Sequence, residues 1–167
     1  MARKLNDLAI RVADDVGEKT TDTVIMKKLK RYINRVYKEV AKRQKEKIAD
    51  VTSVDGKFAQ PTHYKKGIQL QYLKTAIDFE EDGTDITCDY SGDMKFIYEF
   101  DYESLPDLTD DQEPITDPGN DEIIISGAKY LWWKSENKYN KAEVEKRDYE
   151  TAYPRRPYRI IQFSVTR

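Results

Sequence analysis

The hydrophobic positions of the first part of the chain recur at the spacing of an α-helix. Between residues 4 and 16 the apolar side chains share one helical face, and Gly17 follows as a natural stop. These side chains are Leu5, Leu8, Ala9, Val12 and Val16. A longer repeat extends from Asp22 or Thr23, either of which can cap a helix, to about residue 46. Its apolar positions are Ile25, Leu29, Ile33, Val36 and Val40. The pattern predicts two amphipathic helices.

After about residue 48 the hydrophobic period changes from helical to two residues. Ile86, Cys88 and Tyr90 alternate with polar positions, and a longer alternating run follows. That run consists of Met94, Phe96, Tyr98, Phe100 and Tyr102, with Ile97 as an exception. The turn pairs Asp55-Gly56 and Asp82-Gly83 separate strands, and a parity change near Tyr72 indicates a bulge or a break. The pattern predicts an antiparallel meander.

The chain then returns to helical spacing through an acidic loop. Residues 104–121 contain three prolines and many carboxylates, which excludes a helix or strand interior. Helical spacing resumes after Asn120 or Asp121, either of which can cap the helix. Gly127 is placed to let another helix approach closely. After a turn near residues 137–140, the helical spacing continues to Pro154. In "YLWWK" we expect one indole in the core and the other at an interface.

Together these patterns predict an α+β fold. About four helices form a bundle from residues 1–47 and 104–154, which make one discontinuous domain. The antiparallel β meander is inserted at residues 48–103, and residues 155–167 form an extended C-terminal arm.

Composition narrows the possible functions. The 29 basic and 31 acidic residues leave a net charge of −2, so no global field would hold the chain on DNA or on an anionic membrane. The single cysteine, Cys88, excludes an internal disulfide. The first residues contain no continuous apolar stretch, so we expect neither a signal peptide nor a membrane span.

Candidate catalytic chemistry is sparse. The lone His63 excludes a histidine-based triad or metal cluster, and Cys88 is expected on the buried side of a strand. A metal-dependent hydrolase would need carboxylates of one acidic cluster to converge on an ion. The cluster consists of Asp78, Glu80, Asp82 and Asp85. Acids around turns more often favour the turn itself, so we predict a protein that is not an enzyme, with no catalytic, metal or cofactor site.

The basic face of the second helix supports a different hypothesis, a small nucleic-acid-binding module that uses residues 27–47. The cations are Lys27, Lys28, Lys30, Arg31, Arg35 and Lys38. Because Glu39 and Glu46 interrupt this face, a solvated helix surface is the simpler interpretation.

The ending "PRRPYRIIQFSVTR" has the alternation of a strand, with β-branched residues that favour extended backbone. Pro154 and Pro157 detach it from the preceding helix, so its backbone groups need hydrogen-bond partners elsewhere. The segment either completes the meander of its own chain or adds a strand to another chain. We favour the second, because the meander is complete by Tyr102.

The order of these elements resembles the head-to-tail connector (adaptor, head completion) proteins of tailed bacteriophages. The resemblance rests on "LNDLAIRVADDVG", "LKRYINRVYKEVAKR", a β insertion, an acidic proline loop and "DEIIISGAKYLWWKSENKYNKAEVEKRDYETAY". It covers most of the chain, although the β insertion is longer than in the smallest members of the family.

The resemblance implies a structural protein of the virion neck, made in the host cytoplasm, that forms a ring of about twelve subunits. Such a ring docks on the portal protein, extends the channel for double-stranded DNA without sequence-specific binding, and receives the tail or tail-completion protein. The C-terminal arm would dock on the portal or a neighbouring subunit. The implied docking residues are Arg155, Arg156, Tyr158, Arg159, Ile161, Phe163, Val165 and Arg167.

Overall fold

A computed structural model describes residues 3–152, 154 and 157–159, and it confirms the predicted α+β class with four α-helices and antiparallel sheets in that part of the chain. The chain divides into two compact units. The helical unit contains Met1–Gln44 and Leu105–Arg155, and the β unit contains Lys45–Ser104 and Arg156–Arg167.

The helical unit contains α1 (Leu5–Val16), α2 (Thr23–Gln44), a 3₁₀ turn (Pro118–Asn120), α3 (Asp121–Ser135) and α4 (Tyr139–Thr151). Its helix ends follow local chemistry. Gly17 ends α1 in the left-handed conformation, with φ of 78°. The Asp22 carboxylate accepts hydrogen bonds from the backbone N–H groups of Val24 and Ile25, at 2.9 and 3.1 Å, and so caps α2 as predicted.

The apolar stripes of α1, α2 and α3 form the core of the helical unit. The fully buried side chains include Leu8 and Val12 from α1, Leu29 and Ile33 from α2, and Ile124 from α3. The expectation for the two indoles was wrong, because Trp132 and Trp133 are both buried. Lysines from the α3–α4 turn and α4 explain the burial of Trp133, since the ammonium groups of Lys138 and Lys141 lie 5.0 and 4.4 Å from its ring centroid.

Gly127 permits close helix packing, as its position in the sequence predicted. A Cβ atom at this residue would lie 2.5 Å from Cγ1 of Val36 on α2 and 2.9 Å from Cδ2 of Tyr149 on α4. Both distances are below van der Waals contact, so the three helices meet at a point that admits no side chain.

We expect Gly127→Ala to destabilise the protein by about 1–2 kcal/mol. Overpacking against Val36 outweighs the gain of about 1 kcal/mol in helix propensity. Urea unfolding followed by circular dichroism measures the change, with Ser126→Ala in the preceding helical position as the control. An increase in stability for Gly127→Ala would show that α2 and α4 can withdraw without loss of packing.

The β unit contains seven strands among the described residues. They are β1 (Glu46–Ser53), β2 (Lys57–Ala59), β3 (Tyr64–Tyr72), β4 (Thr75–Ile77), β5 (Glu80–Asp82), β6 (Asp85–Thr87) and β7 (Gly92–Phe100). A four-stranded sheet has the order β1-β7-β3-β4, and a three-stranded sheet has the order β2-β6-β5. All of the pairs are antiparallel.

The strand order corrects the prediction of a single meander. The Asp55-Gly56 turn does form, because Val54 and Lys57 exchange backbone hydrogen bonds of 2.9 and 3.0 Å. The strands on its two sides nevertheless enter different sheets, and β1 pairs along its whole length with the distant β7. β7 is a central strand because it pairs with β1 on one edge and β3 on the other, and Ile97 is fully buried on the face of β7 opposite Phe96.

Phe96 is the centre of the β unit's core. Its ring meets Phe58 and Phe79 edge-on, with centroids 5.4 Å away in each case, and stacks with Tyr64 at 6.0 Å. Burial raises the pKa of the neighbouring Tyr98 to about 12. These rings lie on one face of the four-stranded sheet, which leaves the opposite face to carry mostly polar side chains.

Candidate interaction surfaces

The described part of the C-terminal arm lies against the β unit to which it belongs. Nε2 of Gln71 donates a hydrogen bond to the carbonyl oxygen of Tyr158 at 3.4 Å, and the Arg159 guanidinium forms an ion pair with the Glu46 carboxylate. Residues 157–159 are not part of a strand. Tyr158 is 84% exposed, so its ring is presented to solvent.

The other predicted docking residues lie outside the described residues. They are Arg155, Arg156, Ile161, Phe163, Val165 and Arg167. Whether the arm adds a strand to another chain therefore stays a prediction, while Tyr158 and Arg159 show that the beginning of the arm contacts its own sheet.

A groove lies beside this contact, on the polar face of the four-stranded sheet. In the strand register, Gln71 on β3 pairs with Lys95 on β7, and Lys95 pairs with Asp50 on β1. The groove has a volume of about 560 Å³. We call it the sheet groove, and its lining residues are Asp50, Val51, Thr52, Gln71, Leu73, Lys74, Asp93, Met94 and Lys95.

The β3–β4 turn forms one wall of the sheet groove and has an unusual sequence. Leu73 and Lys74 both have positive φ, 46° and 66°, between the paired residues Tyr72 and Thr75. This is the geometry of a type I′ turn, which normally takes Asn-Gly, and each L-residue held there costs about 1–2 kcal/mol. The strained turn holds the Leu73 side chain 80% exposed.

Sequence patterns located the change at Tyr72 but missed this turn. The predicted break near Tyr72 is confirmed, because β3 ends at Tyr72 and the chain reverses tightly into β4. The register shifts of β3 fall earlier, between Tyr64 and Gln69. No glycine, asparagine or proline marks residues 73 and 74, so the usual turn signal is absent from the sequence.

On the basic face of α2, ion pairs within the helical unit neutralise half of the predicted cations. Lys28 pairs with Glu136 at 2.9 Å, Lys30 with Asp110 at 2.9 Å and Lys38 with Asp107 at 2.7 Å. The hydrogen bond and the charge of Lys28 lower the pKa of the Glu136 carboxyl. Two of the three acids belong to the acidic loop, so this loop screens the helix from other anions.

The remaining exposed cations of α2 form a narrow line. Lys27, Arg31, Arg35 and Lys42 are exposed, and Glu39 is exposed between the last two. We call these four cations the α2 stripe. They span roughly 22 Å of helix at 1.5 Å per residue. The stripe is the part of the predicted nucleic-acid surface that the fold leaves open to solvent.

Buried amides hold the acidic loop on α2. Asn34 is buried, and its side chain donates to the carbonyl oxygen of Leu108 at 3.2 Å and accepts from the N–H of Leu108 at 2.7 Å. Oε1 of the buried Gln44 accepts from the backbone N–H of Asp117 at 2.9 Å and from Nδ2 of Asn120 at 2.7 Å. Asn120 thus precedes α3 as predicted, but its side chain contacts Gln44 and does not cap the helix.

The acidic loop is also held by the N-terminal segment. The Arg3 guanidinium donates to both carboxylate oxygens of Asp121 at 3.0 Å and to the carbonyl oxygen of Thr116 at 2.8 Å. The exposed Lys4 lies 3.3 Å from Asp111. Carboxylates of the acidic loop therefore pair with cations of the same helical unit.

Two of the four carboxylates of the hydrolase hypothesis, Asp82 and Asp85, contact a lysine of the same three-stranded sheet. Lys57 lies 3.0 Å from Asp85 and 3.9 Å from Asp82, and the half-buried Cys88 places its Sγ 3.9 Å from the Ser53 hydroxyl. Over residues 3–152, 154 and 157–159, no group of three or more histidine, cysteine or acidic side chains is arranged to hold a metal ion.

Among the helices described, none has the length and apolar character needed to cross a membrane. No protein-family model matches the chain, and no curated protein matches its sequence.

Proposed function

We propose that the chain is a head-to-tail connector (adaptor) protein of a tailed bacteriophage. It would form a ring that docks on the portal, extends the DNA channel and joins the head to the tail. The observation that carries this proposal is the element order: two helices, a β unit, an acidic loop and two more helices, which the C-terminal residues 155–167 follow in the sequence. This is the layout on which the resemblance to connectors rests.

The connector proposal assigns each part of the chain a role in the ring. Residues 1–47 and 104–154 form a helical bundle that makes the ring wall, residues 48–103 are a β insertion, and residues 155–167 are the docking arm. The buried Asn34 and Gln44 support the bundle assignment, because they tie the acidic loop to α2 and so join the two sequence halves of the helical unit.

The arm is suited to binding a protein partner. Its arginines can form bidentate pairs with carboxylates of the portal, and its alternating apolar residues can add to a sheet or fill pockets. Tyr158 supports this role, since its exposed ring provides a large amphipathic contact surface at the beginning of the arm.

The electrostatics of α2 are compatible with a channel through which DNA slides. Lys28, Lys30 and Lys38 are paired with acids of the same unit, and the net charge of the chain is −2. The four cations of the α2 stripe remain exposed, and in this proposal they make weak, sequence-independent contacts with passing DNA.

The direct test is reconstitution with the portal ring of the same virus, followed by electron microscopy of the purified complex. We expect a second ring stacked coaxially on one face of the portal. Portal particles that remain bare at saturating protein would contradict the proposal.

A small nucleic-acid-binding module is the second candidate, and the exposed α2 stripe is the observation that favours it. Engagement of all four cations with phosphates would give an affinity that falls with a log–log salt slope of roughly −4. The connector proposal instead predicts a slope between 0 and about −1.

Fluorescence anisotropy with a short DNA duplex at increasing salt distinguishes the two candidates. The matched variant carries Lys27→Gln, Arg31→Gln, Arg35→Gln and Lys42→Gln. A steep slope that this variant flattens would favour the nucleic-acid module over the connector.

A further inference from the structure

The sheet groove and the described end of the arm meet at one residue, Gln71. We propose that in the free protomer the sheet groove binds residues 160–167 of the same chain as an extended segment. This inference does not rest on the connector proposal, because it concerns the chain before any partner is bound.

The contacts of the arm place its next residues beside the groove. Gln71 lines the groove and also donates to the Tyr158 carbonyl, while Arg159 is paired with Glu46 on β1. The arm is thus tied to β3 and β1, the strands on either side of β7. Eight further residues in extended conformation reach roughly 26 Å, about the length of a strand such as β1.

The composition of the segment matches the groove. Ile161, Phe163 and Val165 share one parity, so an extended chain presents them on one face. The groove offers the apolar side chain of Leu73, which is 80% exposed. Docking of this face would cover the Leu73 side chain, which the strained β3–β4 turn otherwise holds in water.

Polar groups at the groove suit the rest of the segment. Gln162, Ser164 and Thr166 share the opposite parity and would remain in contact with water. Carboxylates of Asp50 and Asp93 line the groove, and Asp93 accepts a hydrogen bond from the Thr52 hydroxyl at 2.7 Å. In the docked arm the guanidinium of Arg167 would pair with these carboxylates.

Tethering favours the same chain over a second copy as the occupant. A segment that begins beside its binding site has an effective concentration on the order of 1 mM, well above the concentration of separate protomers in dilute solution. If the connector proposal also holds, the portal must displace the docked arm, so the arm would be withheld from partners until the portal is reached.

Disulfide trapping tests the inference with the full-length chain. In a Cys88→Ala background, Thr52→Cys in the groove is combined with Val165→Cys in the arm. The control pair combines Val165→Cys with Thr84→Cys, an exposed residue of the β5–β6 turn. Mild oxidation is performed on an equal mixture of ordinary and ¹⁵N-labelled protein, and the linked peptides are identified by mass spectrometry.

We expect the Thr52 pair to form at least about ten times faster than the Thr84 pair, with no linked peptides of mixed isotope. Adding Leu73→Asn, which tolerates the left-handed turn but removes the apolar contact, should reduce this preference, whereas Val54→Asn at another exposed apolar site should not.

Equal rates for the two pairs would overturn the groove as the docking site. Mixed-isotope peptides at Thr52 would overturn docking within one chain and assign the groove to the arm of a second copy. Neither result depends on the portal, so failure of this inference is distinguishable from failure of the connector proposal.

Discussion

Removal of residues 155–167 is expected to abolish attachment of the chain to the portal while leaving the remainder folded. The described cores of both units lie within residues 3–152, so the truncated chain keeps its buried apolar side chains. The described contacts that would be lost are the Arg159–Glu46 ion pair, whose side chains are 50% and 14% exposed, and the hydrogen bond of Gln71 to Tyr158; partly exposed contacts of this kind contribute about 1 kcal/mol each. Co-sedimentation with portal rings measures attachment, and circular dichroism measures folding.

Point variants test whether attachment depends on the apolar side chains of the arm and not only on its length. Ile161→Ser, Phe163→Ser and Val165→Ser together should weaken attachment by at least about tenfold, because each removes an apolar anchor. The matched control, Gln162→Ser with Thr166→Ser on the opposite parity, should attach normally. Normal attachment by the truncated chain would contradict the assignment of the arm as the docking element.

Asn34→Leu is expected to destabilise the helical unit by about 2–4 kcal/mol. The substitution removes both hydrogen bonds to Leu108 and leaves the N–H and carbonyl groups of that residue without their buried partner. The acidic loop is then held less firmly on α2. The change in free energy of unfolding is measured by urea denaturation, with the slope of the transition checked for constancy.

The control for Asn34→Leu is Lys42→Leu, which places the same side chain at an exposed position of α2. Its effect should stay within about 0.5 kcal/mol. If Asn34→Leu were equally mild, the loop would be held by its other contacts, and the anchoring role of this amide would be wrong.

Sequence patterns were most informative where structure depends on neighbouring residues. The hydrophobic repeats predicted α1 and α2, and Gly17 and Asp22 marked their ends correctly, because helix periodicity and capping are set within a few residues. Gly127 was also identified as a point of close approach, although its partners Val36 and Tyr149 were not.

Features that depend on distant residues were not predicted. The Asp55-Gly56 pair predicted the chain reversal correctly, but it did not predict the pairing of β1 with β7. Packing of residues distant in sequence selects strand partners. The same limit applies to the interaction surfaces. Nothing local to the sequence indicates that Asp107 and Asp110 pair with lysines of α2, or that a groove begins at Gln71.

The measurement that tests the connector proposal most directly is the number of chains bound to one portal ring, obtained by native mass spectrometry of the purified complex. The proposal predicts a discrete complex in which about twelve copies are bound, forming a closed ring against the portal. Portal rings that carry no copies, or a broad distribution of a few copies without closure, would contradict the proposal.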